Sequence, residues 1–147
     1  MNISSKYFDY LVVFTAGIGM FLSTLDSGII NVALPTLSKS FNVDTSLITW
    51  SVTLYTLLLT GTIIIFGRLS DKYSRINIYS IGLIVFLIAS ILCGFSSNVI
   101  QLITFRGLQG IGAAMLQGTA TAIITTSSAD DRQGSALGPL SLLLGIV

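Results

Sequence analysis

The sequence predicts an all-α integral membrane fold, with four complete transmembrane helices and the start of a fifth. Three observations predict it. Of 147 residues, 52% are hydrophobic and only 9% are charged, whereas soluble domains carry roughly 25% charged residues. The apolar residues fall in long stretches almost free of charge, and the basic residues gather in alternate connections between them. A core of this size cannot hide so many apolar side chains, which leaves lipid as their surroundings.

A helix needs about 20 mostly apolar residues to cross a hydrocarbon layer of about 30 Å. The first stretch, residues 10–30, meets that length and carries one charge, Asp26. Asp26 interrupts the apolar run and no small-x-small cleavage site follows it, so this is an uncleaved helix rather than a signal peptide. The second stretch, 47–66, and the third, 78–96, carry no charge at all. The fourth, 99–126, holds only Arg106, and a fifth, 134–147, is still apolar at Val147. Pro35 and residues 42–46 mark the connection between the first two spans, and residues 129–133 the one between the last two. Every connection is too short to fold by itself, so residues 1–147 form one transmembrane segment truncated within its fifth helix.

Orientation follows from lysine and arginine in the short connections. Lys6, Arg68, Lys72, Arg75 and Arg132 fall on one side and Lys39 alone on the other. That places the N-terminus in the cytoplasm, and the chain in the cell membrane. Trp50 and Tyr55 at one edge, and Tyr7, Tyr10, Tyr73 and Tyr79 at the other, sit where interfacial aromatic belts form.

Composition also excludes functions. A net charge of +1 offers no basic surface for nucleic acid. Histidine and glutamate are absent and all six acids are aspartate, so the commonest general base and metal ligand is missing. Cys93 is the single cysteine, which rules out an internal disulfide. No enzymatic activity, cofactor or metal is expected.

Three groups of residues carry the functional reading. Arg106 lies about eight residues, roughly 12 Å, inside the outer end of the fourth span. A guanidinium at that depth costs at least ~2.5 kcal/mol on insertion scales and seeks an interior partner. Gly110, Ala114, Gly118 and Ala122 follow it at four-residue intervals on one face, where small side chains let another helix approach closely. Asp26 is the only carboxylate within a span, also in the outer half, and Thr15, Gly19, Ser23 and Ser27 form a small polar stripe beside it. Paired with Arg106 this carboxylate keeps its charge; separated from it in apolar surroundings it binds a proton. The third group is the connection 67–75, Gly-Arg-Leu-Ser-Asp-Lys-Tyr-Ser-Arg. Positive-inside bias explains its basic residues but not Gly67 at the membrane edge with Asp71 four residues later. Asp71 is placed to pair with Arg75 or with a helix N-terminus, as a latch on the cytoplasmic face.

Together these groups resemble the major facilitator superfamily, and within it the fourteen-helix drug:proton antiporters. Residues 25–35, Leu-Asp-Ser-Gly-Ile-Ile-Asn-Val-Ala-Leu-Pro, resemble the helix-one motif. Residues 67–75 resemble the cytoplasmic signature, and residues 102–114, Leu-Ile-Thr-Phe-Arg-Gly-Leu-Gln-Gly-Ile-Gly-Ala-Ala, match the helix-four antiporter motif. Gly28 stands where the family has threonine, and Ser74 and Ile76 replace a glycine and a basic residue. The family's helix-five motif is expected beyond Val147.

The resemblance implies the N-terminal part of a bundle of inverted three-helix repeats, with the solute site near mid-membrane. Helices one and four then correspond, and helix three is peripheral and lipid-facing. It further implies a proton-coupled exporter of amphipathic or cationic small molecules, with Asp26 and Arg106 coupling the proton. Gly67, Asp71 and Arg75 would form the cytoplasmic gate, with Gly110, Ala114 and Gly118 on the packing and cavity face of helix four. The partners implied are substrate, protons, lipid and the rest of the transporter. Two other readings stay open: a metabolite transporter of the same superfamily, and a truncated fragment without activity.

Overall fold

A computed structural model describes residues 3–127, which form four helices: α1, Ile3–Phe41; α2, Thr45–Lys72; α3, Arg75–Gly94; and α4, Val99–Ser127. All four are long and apolar enough to cross a membrane, so this is a multi-pass membrane chain. The fifth span expected at 134–147 and the connection at 129–133 lie outside the described residues.

The first helix departs from its sequence expectation. Pro35, read as part of the outer connection, lies inside α1, and Lys39 sits in its last turn rather than in a loop. Proline removes one backbone donor, a loss that membrane helices tolerate. What ends α1 is Asn42, at φ 52°, one of the few side chains that enter the left-handed region readily. The Asn42 amide donates to the Lys39 carbonyl at 3.3 Å and the Val43 amide to that of Ser38 at 3.1 Å. Those two bonds are a Schellman termination, which caps the free carbonyls of the last turn. The connection between α3 and α4 is closed differently. The Gln101 amide donates to Asn98 Oδ1 at 2.9 Å, and the Ser97 amide donates back to Gln101 Oε1 at 3.0 Å, a reciprocal cap.

Helix α4 is the centre of the bundle. It packs against α2, α3 and α1, and most of its residues from Leu102 onward are buried. Its sequence makes this possible. A Cβ at Gly110 would stand 2.5 Å from the Tyr55 carbonyl oxygen, and one at Gly118 would stand 2.6 Å from that of Ile63. Backbone therefore meets backbone between α2 and α4, the close approach that small residues at four-residue spacing permit. Ala114 is fully buried between these two contacts. Facing α3, Gly112 meets the backbone of Phe86 and Met115 lies over Gly82.

Helix α3 is only half as peripheral as its composition suggests. Tyr79, Gly82, Phe86 and Ala89 are buried, while Ile81, Ile84, Ile88 and Ile91 point outward. An all-apolar sequence hides this division because both faces are hydrophobic, one against protein and one toward lipid. Gly110→Val is expected to lower the thermal stability of the detergent-solubilised protein. Overpacking at such a contact costs roughly 1–3 kcal/mol. Gly61→Ala serves as the control, since nothing lies within 4 Å of a Cβ there.

Candidate functional site

Arg106 and Asp26, eighty positions apart in sequence, meet between α4 and α1. Arg106 Nη1 donates to Asp26 Oδ2 at 2.5 Å and to Gln109 Oε1 at 2.7 Å. Gln109 Nε2 donates in turn to Asp26 Oδ1 at 3.0 Å. The three side chains thus close a ring: guanidinium to carboxylate, carboxylate to amide, amide to guanidinium. Gln109 follows Arg106 by three residues and so shares its face of α4. From α3, the Cys93 thiol donates to the same amide oxygen at 3.7 Å.

The fourth wall comes from α2. The Tyr55 ring lies beneath the guanidinium, 4.4 Å from Arg106 Cζ to the ring centroid. Such a contact is worth about 0.5–1 kcal/mol at exposed sites and ~2 kcal/mol or more when desolvated. Tyr55 Oη lies 3.0 Å from Ser23 Oγ and donates to the Ser23 carbonyl at 3.3 Å. Gln117 Nε2 donates to Ser23 Oγ at 2.9 Å. A second polar group of Ser23, Tyr55 and Gln117 therefore adjoins the ion pair, three residues before Asp26 on α1.

Exposure separates the two charged partners. The Arg106 side chain is 3% exposed and that of Asp26 is 23%. Arginine is fixed within the helix-four core while the carboxylate stands at its rim. Stripping a buried pair of one member costs about 3–5 kcal/mol, so any event that neutralises Asp26 acts directly on how Arg106 is held. Among the described residues, no three side chains of metal-ligating type come together.

The remaining residues singled out from the sequence fall elsewhere. Asp71 and Arg75 form an ion pair at 2.6 Å across the turn between α2 and α3. With one side chain 57% exposed, a pair of this kind contributes little to stability. Gly67 is half-buried, and its backbone nitrogen lies 3.0 Å from where a Gly118 Cβ would stand. The connection and the helix-four stripe therefore touch at Gly67, some distance along α2 from the ion pair. Ser23 and Gly19 of the polar stripe are buried, and Thr15 is exposed.

Two of the expected belt aromatics are misplaced. Tyr55 is 2% exposed and belongs to the ion-pair site. Tyr79 is buried as well, its hydroxyl donating to the Thr15 carbonyl at 2.6 Å. Trp50 and Tyr73 are exposed, while the side chains of Tyr7 and Tyr10 lie outside the described ones. Gln109, Gln117 and Cys93 are partners that charge and hydropathy alone do not mark. An uncharged amide three residues from a buried arginine was the available signal for Gln109.

A family model described as Major Facilitator Superfamily matches residues 16–147. The chain belongs to the major facilitator superfamily. It is 37% identical over 137 residues to the riboflavin transporter RibZ of Clostridioides difficile, covering 93% of this chain and 30% of that protein. The multidrug transporter protein MdtP of Bacillus subtilis is 41% identical over 107 residues, 73% of this chain and 20% of its own. The methylenomycin A resistance protein of the same organism is 34% identical over 121 residues, 82% of this chain and 26% of its own. The chain thus spans less than a third of the length of these curated relatives. As a superfamily member it is part of a class of membrane carriers rather than of enzymes.

Proposed function

We propose that this chain forms the N-terminal part of a proton-coupled exporter of small amphipathic or cationic compounds, of the fourteen-helix drug:proton antiporter type. One observation carries the reading: the closed ring of Asp26, Arg106 and Gln109, with the carboxylate at the rim and the guanidinium in the core. In the paired state Asp26 is charged and holds α1 against α4. Protonation removes the attraction, leaving a neutral acid beside a guanidinium. A carrier that alternates between these states loads a proton on one side of the membrane and releases it on the other. Gly67, Asp71 and Arg75 form the cytoplasmic gate in this reading, because the exposed Asp71–Arg75 pair can break and reform at little cost. Gly110, Ala114 and Gly118 keep α2 and α4 together as a rigid unit while the gate moves. Relatives named for multidrug transport and methylenomycin A resistance support export of toxic compounds.

A second reading, transport of one defined metabolite, is favoured by the match to a riboflavin transporter over 93% of the chain. The two separate in cells expressing the full-length carrier. Ethidium export that collapses on adding a protonophore is the expected result. Riboflavin movement without ethidium export would replace the first reading with the second.

The N-terminus is cytoplasmic in this proposal, and cysteine accessibility tests it. In a Cys93→Ser background, single cysteines replace the exposed residues Ser40 and Tyr73. An impermeant thiol reagent added to intact cells is expected to label position 40 and spare position 73. Labelling at 73 alone reverses the topology.

A further inference from the structure

We infer that Tyr55 is a positioning residue for the Asp26–Arg106 pair, its ring serving as a second seat for the guanidinium that a proton cannot remove. The inference rests on the reading of Asp26 as the proton carrier.

Three observations point to it. Only Nη1 of Arg106 is engaged by Asp26 and Gln109; Nε and Nη2 are buried with no hydrogen-bond partner among the described residues. Those two groups belong to a guanidinium whose centre is 4.4 Å from the Tyr55 ring centroid. The electron-rich face of an aromatic ring is what remains to compensate their charge. Second, the ring is fixed from both ends. Its hydroxyl is held by Ser23, and its backbone is pressed against Gly110, where even one Cβ would stand 3.1 Å from Tyr55 Cα. Third, the described residues offer no substitute. The titratable or charged groups facing Arg106 are Asp26 from α1, Tyr55 itself from α2 and, by way of Gln109, the Cys93 thiol from α3. Among the described residues Asp26 is the only carboxylate at the site.

The consequence concerns the protonated state. When Asp26 is charged, the guanidinium has the carboxylate, the Gln109 oxygen and the ring. When Asp26 takes a proton, the carboxylate's pull on Nη1 is gone and the guanidinium can settle closer onto the ring face. Tyr55 therefore stabilises Arg106 more in the protonated state than in the paired one, which makes proton uptake easier. Weakening the face of the ring raises the cost of the protonated state, so a lower pH is needed to fill it. The hydroxyl is secondary to this effect, and the quadrupole of the ring is primary.

Infrared titration of the purified full-length carrier tests this without a transported substrate. The protonated-carboxyl band is followed against pH, and the part absent from Asp26→Asn is assigned to Asp26. Tyr55→Phe is expected to keep the wild-type midpoint. Phenylalanines bearing successively more fluorines at position 55 keep the ring's shape and deplete its face, and are expected to move the midpoint stepwise to lower pH. Tyr55→Leu is expected to move it the same way, by at most about 1.5 pH units. Coincident midpoints for Tyr55→Phe and the fluorinated series overturn the role of Tyr55, and leave Asp26 as the proton carrier. A band that Asp26→Asn does not diminish overturns the proton-carrier reading itself, and this inference with it.

Discussion

Arg106→Ala is expected to destabilise the full-length carrier by about 3–5 kcal/mol and to abolish proton-driven export. The substitution leaves Asp26 without its counter-charge and the Gln109 oxygen with only the long Cys93 thiol contact. It also opens a void against the Tyr55 ring. Arg106→Lys retains the positive charge but not the flat, multiply donating fork, so it is expected to fall between wild type and Arg106→Ala. A double-mutant cycle separates pairing from packing. Asp26→Asn in the Arg106→Ala background is expected to recover part of the lost thermal stability, because the uncompensated carboxylate is gone. Transport is not expected to return. Strictly additive losses of stability would mean that the two side chains are not coupled.

Asp26→Asn by itself is expected to separate coupling from movement of solute. Asparagine keeps the shape of the aspartate and can still accept from Arg106 through its single oxygen, while its Nδ2 replaces the oxygen that accepts from Gln109. It cannot change charge. A carrier locked in this way can bind substrate and can let it pass down its own gradient, but nothing links that movement to a proton. The loss of uphill transport is expected to be complete rather than partial, since no other carboxylate among the described residues lies in the ion-pair site.

The fold was legible from the sequence where composition alone decides it. Uncharged runs near 47–66 and 78–96 correspond to α2 and α3 because lipid selects for little except length and apolarity. The end of α1 was not legible from Pro35, since a membrane helix tolerates the lost donor and the stop is instead the left-handed Asn42. The two charges were equally plain, each being the only one in its span, and the structure brings them into contact. Their neighbours were harder. Tyr55 reaches the site through the register of α2 against α4, which glycine contacts at Gly110 and Gly118 set, and Ser23 through the packing of α1 against α4. That register is a matter of packing between helices far apart in sequence, and no local pattern encodes it. Gln109 lay within reach, three residues from Arg106 on the same face, yet an amide in a span announces itself far less than a charge does.

In the proposed mechanism Asp26 couples proton entry to solute exit. The decisive measurement is proton-driven uptake of ethidium into inverted proteoliposomes containing the full-length carrier, with and without an imposed pH gradient. Wild type is expected to concentrate the dye only when the gradient is present. Asp26→Asn is predicted to equilibrate the dye at best and never to concentrate it. Accumulation by Asp26→Asn at the wild-type rate and to the wild-type level would make the Asp26–Arg106 pair a structural clamp between α1 and α4 rather than the coupling site.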